Sequence, residues 1–271
     1  MSVFAKPRFY RRLLLALSCA LVAVLAGASA QASDLETIEQ RGTLRVAVPQ
    51  DFPPFGSVGT DLQPQGYDID MAQYLADQMK VDLELVTVTS ANRIPFLQTN
   101  KVDLVISSLG KNPERAAVID FTDAYAPFFL GVFGTPDADP MKEAADLSGK
   151  TIGVTRGSVE DMELTGLAPD DTTIKRFEDN ATTISAFLSN QVDYIATGNV
   201  VAAQIAERNA DRAPTMVFRI KNSPCYIGLS QDNEALKARI NELIEQGKED
   251  GTLEAMSQKW FHSALPDDLS T

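Results

Sequence analysis

Phe96-Leu97-Gln98-Thr99-Asn100-Lys101-Val102-Asp103-Leu104-Val105 returns later in the chain, one residue shorter, as Phe187-Leu188-Ser189-Asn190-Gln191-Val192-Asp193-Tyr194-Ile195. Each copy reads as a helix end, an asparagine able to take the left-handed stop position, and a buried strand. Around both copies short β-branched strands alternate with helix-period segments, the pattern of parallel sheets covered by helices. Two copies predict an α/β protein of two lobes, each a mostly parallel sheet with flanking helices. Such a protein places its ligand in the crevice beyond the carboxyl ends of the strands.

Outward from the first copy, Leu44–Val48, Leu83–Val88 and Val102–Ile106 read as strands. Ile69, Ala72, Leu75, Ala76 and Met79 recur at helical spacing, which predicts a helix over Asp68–Met79. Arg93–Thr99 is a short helix, and Asn112-Pro113 supplies a cap and a first-position proline for another. Around the second copy the predicted strands are Thr151–Thr155, Ile174–Phe177, Val192–Ala196 and Met216–Ile220. Helices are expected from Ser158, over Thr182–Leu188 and over Val200–Arg208. The tail reads as strand Tyr226–Leu229 and helices Glu234–Lys248 and Thr252–Trp260.

The chain has 271 residues, with 24 Lys+Arg against 37 Asp+Glu and a formal net charge of −13. That acidic surplus argues against nucleic acid as a partner. His262 is the only histidine, which nearly excludes a metal or base site built on imidazole. Lys6, Arg8, Arg11 and Arg12 precede a largely apolar stretch from Leu13 to Ala28, then Ala28-Ser29-Ala30. A cationic start, an apolar run too short to span a bilayer and a small-residue cleavage site predict a signal peptide over residues 1–30. Cleavage removes Cys19, so Cys225 is left alone, and beside apolar residues it reads as a small core side chain.

At the strand ends, Gln50-Asp51-Phe52-Pro53-Pro54-Phe55 offers two aromatics in a stiff loop. Phe55 is assigned to the core and Phe52 to the cleft. Ser107-Ser108-Leu109-Gly110 lets backbone N–H groups approach a ligand, and Arg115 offers a planar fork for a carboxylate. Arg156-Gly157-Ser158 leads into a helix N-terminus, which favours an anion, although Ser158 and Asp161 also make an ordinary cap. Arg93 either serves a second anionic group or pairs on the surface.

These motifs, in order, resemble the family-3 periplasmic solute-binding proteins, the amino-acid receptors of ABC importers. The resemblance rests on Leu44–Val48 with Asp51-Phe52-Pro53-Pro54-Phe55, Gly66-Tyr67-Asp68-Ile69-Asp70, Pro113-Glu114-Arg115, and Asp120-Phe121-Thr122 with Tyr125. It continues through Asp146-Leu147-Ser148-Gly149-Lys150 and Asp250-Gly251-Thr252-Leu253 to Lys259-Trp260-Phe261. It implies a type II periplasmic-binding-protein fold with a discontinuous first lobe (31–128 plus 224–271) and a second lobe inserted at 129–223. Hinge strands are expected near 128–132 and 220–225. By position Phe52 would stack on the ligand, and Ser107, Ser108, Gly110 and Asn199 would contribute polar or backbone contacts. Arg115 would clamp the α-carboxylate, Ser158 and Val159 would add N–H groups, and Arg93 resembles the arginine of the acidic-amino-acid branch.

Two departures stand out. Gly110 replaces a usual hydroxyl residue, and Gly198 occupies the place of the carboxylate that normally takes the α-ammonium. Either Asp51 or Glu160 then supplies the charge, or the ligand is a dicarboxylate or keto acid without an ammonium. The expected protein is a periplasmic monomer that captures a small carboxylate, an amino acid foremost, for a membrane ABC permease. It needs no cofactor and no metal. The alternative is an enzyme on the same scaffold, resembling a cyclohexadienyl dehydratase, with Glu160 or Asp161 as the acid. A sensory role for the same closing lobes also stays open.

Overall fold

The computed structural model describes residues 34–269; the predicted signal peptide lies outside them. In chain order the first elements are α1 (Asp34–Arg41), β1 (Thr43–Val48), β2 (Asp51–Phe52), β3 (Gly56–Val58), β4 (Pro64–Gln65), α2 (Tyr67–Met79) and β5 (Asp82–Thr87). There follow α3 (Arg93–Gln98), β6 (Leu104–Leu109), α4 (Pro113–Ala116), β7 (Asp120–Ala126) and β8 (Phe129–Gly134). Next come β9 (Thr151–Thr155), α5 (Val159–Leu167), β10 (Thr173–Phe177), α6 (Asn180–Leu188), β11 (Tyr194–Gly198), α7 (Asn199–Arg208) and β12 (Thr215–Asn222). The chain closes with β13 (Cys225–Leu229), α8 (Glu234–Glu249) and α9 (Thr252–Phe261).

Two five-stranded sheets carry the lobes, in the orders β5-β1-β6-β13-β7 and β10-β9-β11-β8-β12. In each, three parallel strands are followed by two antiparallel joins. Strands β6 and β11 hold the same central place in their sheets, and the repeated sequence leads into both. The asparagines that end the preceding helices are left-handed, Asn100 at φ 54° and Asn190 at φ 61°. Both strands start two residues later than the sequence pattern predicts. Val102 and Val192 are buried but stay outside the ladders, and the chain enters each sheet through Asp103 and Asp193. The backbone N–H groups of these two aspartates donate to the carbonyls of Arg45 and Thr151.

Strands β7 and β8, the small β2-β3-β4 sheet and α1 escape the sequence pattern. The chain leaves the first sheet after Ala126, enters the second at Phe129, and returns between Asn222 and Cys225. The two crossings run side by side, with Phe129 paired to Asn222.

Phe55 is fully buried and meets Phe128, Tyr67 and Phe261 ring to ring, at centroid distances of 5.3, 6.4 and 5.2 Å. Burying such a side chain stabilises the fold by about 1.5–3 kcal/mol. The Gly66-Tyr67-Asp68-Ile69-Asp70 motif is tied to the far end of the chain. Tyr67 stacks on Phe261 at 4.6 Å, and the Asp70 carboxylate accepts from Lys259 Nζ and Trp260 Nε1, each at 2.7 Å. Cys225 is buried in the same core.

Candidate functional site

The carboxyl ends of the central strands face one another across a narrow, largely closed cleft between the two sheets. From the first lobe it is lined by Phe52, Ser90, Arg93 and Ser108. From the second come Thr155, the start of α5 (Ser158, Val159 and Glu160), Asn180 and Thr183 of α6, and Thr197. Ile184, Ile195 and Ala196 complete an apolar floor.

Arg93 opens α3 and is buried. One of its terminal nitrogens donates to the Ser107 carbonyl, while its buried Nε has no partner. Burial pushes its guanidinium down, against the opposing charges of Glu160 and then Asp68. Ser107 is therefore placed as a backbone support for Arg93 and is not on the lining. Ser108 is on the lining, in a left-handed conformation at φ 42°. Its N–H donates to Asp68 Oδ2 at 2.8 Å, and the Tyr125 hydroxyl donates to the other oxygen of that carboxylate. Wholly enclosed, Asp68 is pushed up to about 7, because burial outweighs those two hydrogen bonds and the charge of Arg93. The motif containing Asp68 thus fixes the backbone that presents Ser108.

Asn112 caps α4 through Arg115 N–H, at 2.8 Å. The Arg115 guanidinium donates to the carbonyl of Gly110 at 2.7 Å and to that of Gly157, in the other lobe, at 3.0 Å. Burial first, then the like charge of Arg93, pushes it down. The structure places Arg115 as a clasp between lobes, off the cleft lining. Gly110 also lies off the lining: a Cβ there would come 2.6 Å from Ser223 Oγ and 3.0 Å from Val159 Cγ1, so a hydroxyl residue would fit only if Ser223 turned away and Val159 shifted.

On α5 the Ser158 hydroxyl accepts from Asp161 N–H at 3.1 Å, and the Asp161 carboxylate accepts from Gly157 N–H at 3.0 Å and from Arg176 Nε at 2.7 Å. Ser158 is thus both cap and lining residue. Glu160 is buried on the lining, its carboxyl pushed up by burial and held down less strongly by Ser158, Arg93 and Arg115.

Asn199 is placed away from the cleft. Its side-chain oxygen accepts from Phe129 N–H at 3.0 Å, bracing the first crossing. At Gly198 the structure gives a reason for the missing carboxylate: a Cβ would stand 1.7 Å from Cζ of Phe128, whose ring fills that space. Asp51, the other acid suggested by sequence, accepts from Asn180 N–H, Asn180 Nδ2 and Ala181 N–H at 2.8, 3.0 and 3.2 Å. Sequence reasoning missed Asn180, Thr183 and Thr197, which sit where helix starts and strand ends converge; the β-strand spans alone pointed toward Thr197. Among the described residues no three potential metal ligands come together.

Comparison with known proteins agrees with this architecture. The L-cystine-binding protein TcyJ of Escherichia coli (strain K12) is 26% identical over 246 residues, covering 89% of this chain and 92% of that protein. The crystal structure of a cysteine-binding protein from Campylobacter jejuni superposes with a TM-score of 0.80 at 25% identity, covering 88% of this chain and 97% of that one. An ancestral amino acid-binding protein, AncCDT-1, described as a precursor of cyclohexadienyl dehydratase, gives a TM-score of 0.78 at 31% identity, covering 84% of this chain and all of that one. Residues 44–263 match the family of bacterial extracellular solute-binding proteins, family 3, and the chain belongs to that family.

Proposed function

We propose that this protein is the substrate-binding component of an ABC importer, working outside the cytoplasmic membrane and passing an α-amino acid to a membrane permease. The observation that carries the reading is Arg93, a buried cation on the lining of an interlobe cleft with its Nε unpartnered. A buried guanidinium nitrogen is costly to leave without an acceptor, and a ligand carboxylate supplies one. Polar hydroxyls and amides from both lobes surround it, so a ligand touching both sides favours the closed arrangement and draws the lobes together about the two crossings. Export through the N-terminal signal peptide fits this role. The cystine and cysteine specificities named for two of the relatives make short-chain amino acids the first to try.

The test is calorimetric titration of the purified protein, refolded from denaturant to strip ligand, against a panel of L-amino acids and dicarboxylates. Saturable binding of an amino acid, lost by at least tenfold in Arg93→Gln, is expected. Amino-acid binding unaffected by that change would remove Arg93 from the reading.

A second reading, an acid-catalysed dehydratase on the same scaffold, has one observation in its favour. Burial raises the Glu160 carboxyl, as a general acid requires. The relative described as a precursor of such an enzyme is itself an amino acid-binding protein. Incubation with prephenate or arogenate decides the point, because only an enzyme forms more than one equivalent of product.

A further inference from the structure

We infer that Glu160 is the residue that takes the ligand's ammonium group, and that it decides between α-amino acids and their deaminated analogues. The inference rests on the amino-acid reading above and identifies its anionic half. An ammonium enclosed in protein without an opposing charge is unfavourable by several kcal/mol, so the cleft must offer a carboxylate.

Among the described residues Glu160 is the one acid on the lining, facing the one lining cation, Arg93. The other acids nearby are committed. Both Asp51 oxygens accept from the first residues of α6. Asp161 is held by Arg176 and by Gly157 N–H. Asp68 lies beneath the lining, its two oxygens taken by Ser108 N–H and Tyr125.

Nor can the end of β11 contribute an acid. Phe128 leaves no room for any side chain at Gly198, and the ring is itself locked against Phe55. The lining acid is instead the second residue of a helix. There, free N–H groups of the first turn and the Ser158 hydroxyl support a negative charge. Arg93 and Glu160, on opposite lobes, match the two ends of a zwitterion, so a ligand bearing both charges bridges the cleft.

The charged groups facing Glu160 are Arg93 of α3 and Arg115 of α4. Asp68 and Cys225 lie behind Arg93, and Thr155, Asn180 and Thr183 from β9 and α6 are uncharged. Burial favours the neutral acid in the free protein, whereas an ammonium favours the carboxylate. Amino-acid binding at mildly acidic pH therefore releases a proton as Glu160 ionises.

The experiment compares the tightest-binding L-amino acid of the panel (cystine, cysteine, arginine, glutamine and glutamate) with its 2-hydroxy analogue, in wild type and in Glu160→Gln. The expected result is a wild-type preference for the amino acid of at least tenfold. In Glu160→Gln that preference falls to less than threefold, through loss of amino-acid affinity. Undiminished amino-acid binding by Glu160→Gln overturns the inference and leaves the amino-acid reading standing. Wild-type binding of hydroxy or keto acids alone overturns both. A measurement on the unaltered protein stands beside this one in case the variant does not fold. Titrations from pH 4 to pH 7 in buffers of different ionisation enthalpy should show, over part of that range, more proton release with the amino acid than with the hydroxy analogue. Equal proton counts throughout that range overturn the inference.

Discussion

The carboxylate of Asp51, in the first lobe, sits on the amino end of α6 in the second, accepting from Asn180 N–H at 2.8 Å and Asn180 Nδ2 at 3.0 Å. A helix start is ordinarily capped from its own chain segment, and here Asp179 does that through Thr182 N–H at 2.7 Å. Asp51 satisfies further N–H groups of the same helix from across the cleft, so the bond exists only while the lobes are together.

Asp51→Ala therefore shifts the lobes toward opening. A lost cap costs about 1 kcal/mol, roughly fivefold in the balance of closed and open forms. Small-angle scattering of the ligand-free protein should show a larger radius of gyration than wild type, with apparent ligand affinity weakened about fivefold. An unchanged radius would sink the assignment.

Arg115→Ala removes the second interlobe bond and leaves the Gly110 and Gly157 carbonyls without their donor, each costing about 1–3 kcal/mol where buried. Ligand affinity should fall at least tenfold, mostly through faster dissociation in stopped-flow measurements. The ligand-free radius should also grow. A loss of affinity with no change in radius would instead point to direct contact with the ligand.

Gly198→Asp should not create a better ammonium site. The new side chain must displace the Phe128 ring, and overpacking of this kind costs about 1–3 kcal/mol or more. The melting temperature should drop by several degrees, and Phe128→Ala in the same chain should recover part of the loss. Additive losses in the double variant would refute the steric account.

Asp68 predicts a pH dependence. Its folded value, about 7, lies above that of an unfolded aspartate. The stabilisation tied to its proton is complete below about pH 4 and is lost as pH rises to about 7, an effect on the order of 4 kcal/mol. Asp68→Asn has no proton to lose, so its denaturation midpoint should fall less than that of wild type between pH 4 and pH 7. Parallel curves would show that Asp68 does not carry the effect.

Much of this architecture was legible because it repeats. The asparagine before each central strand announced a left-handed stop, and both Asn100 and Asn190 adopt it. Caps are local, so Asn112 and Ser158 were readable from a few neighbours. What could not be read were contacts between distant segments. Nothing near Arg115 says that its fork turns to the carbonyl of Gly157, and nothing near Asn199 says that it braces Phe129. Gly198 was visible as a departure, but its cause lies seventy positions away in sequence terms, in the Phe128 ring. Strands β7 and β8 carry aromatic and small residues without clean alternation, since both are buried on each side.

Strand β13 lies inside the first sheet, between β6 and β7, yet it is made of residues 225–229. All five strands of the second sheet are contiguous in sequence, from 129 to 222. A chain emerging amino end first can thus complete the second sheet while the first still has a gap in its middle. The first sheet closes only when residues 225–229 arrive, and Phe261 stacks on Tyr67 later still. Interruptions near the carboxyl terminus will therefore leave the amino-terminal lobe, not the inserted one, unfinished.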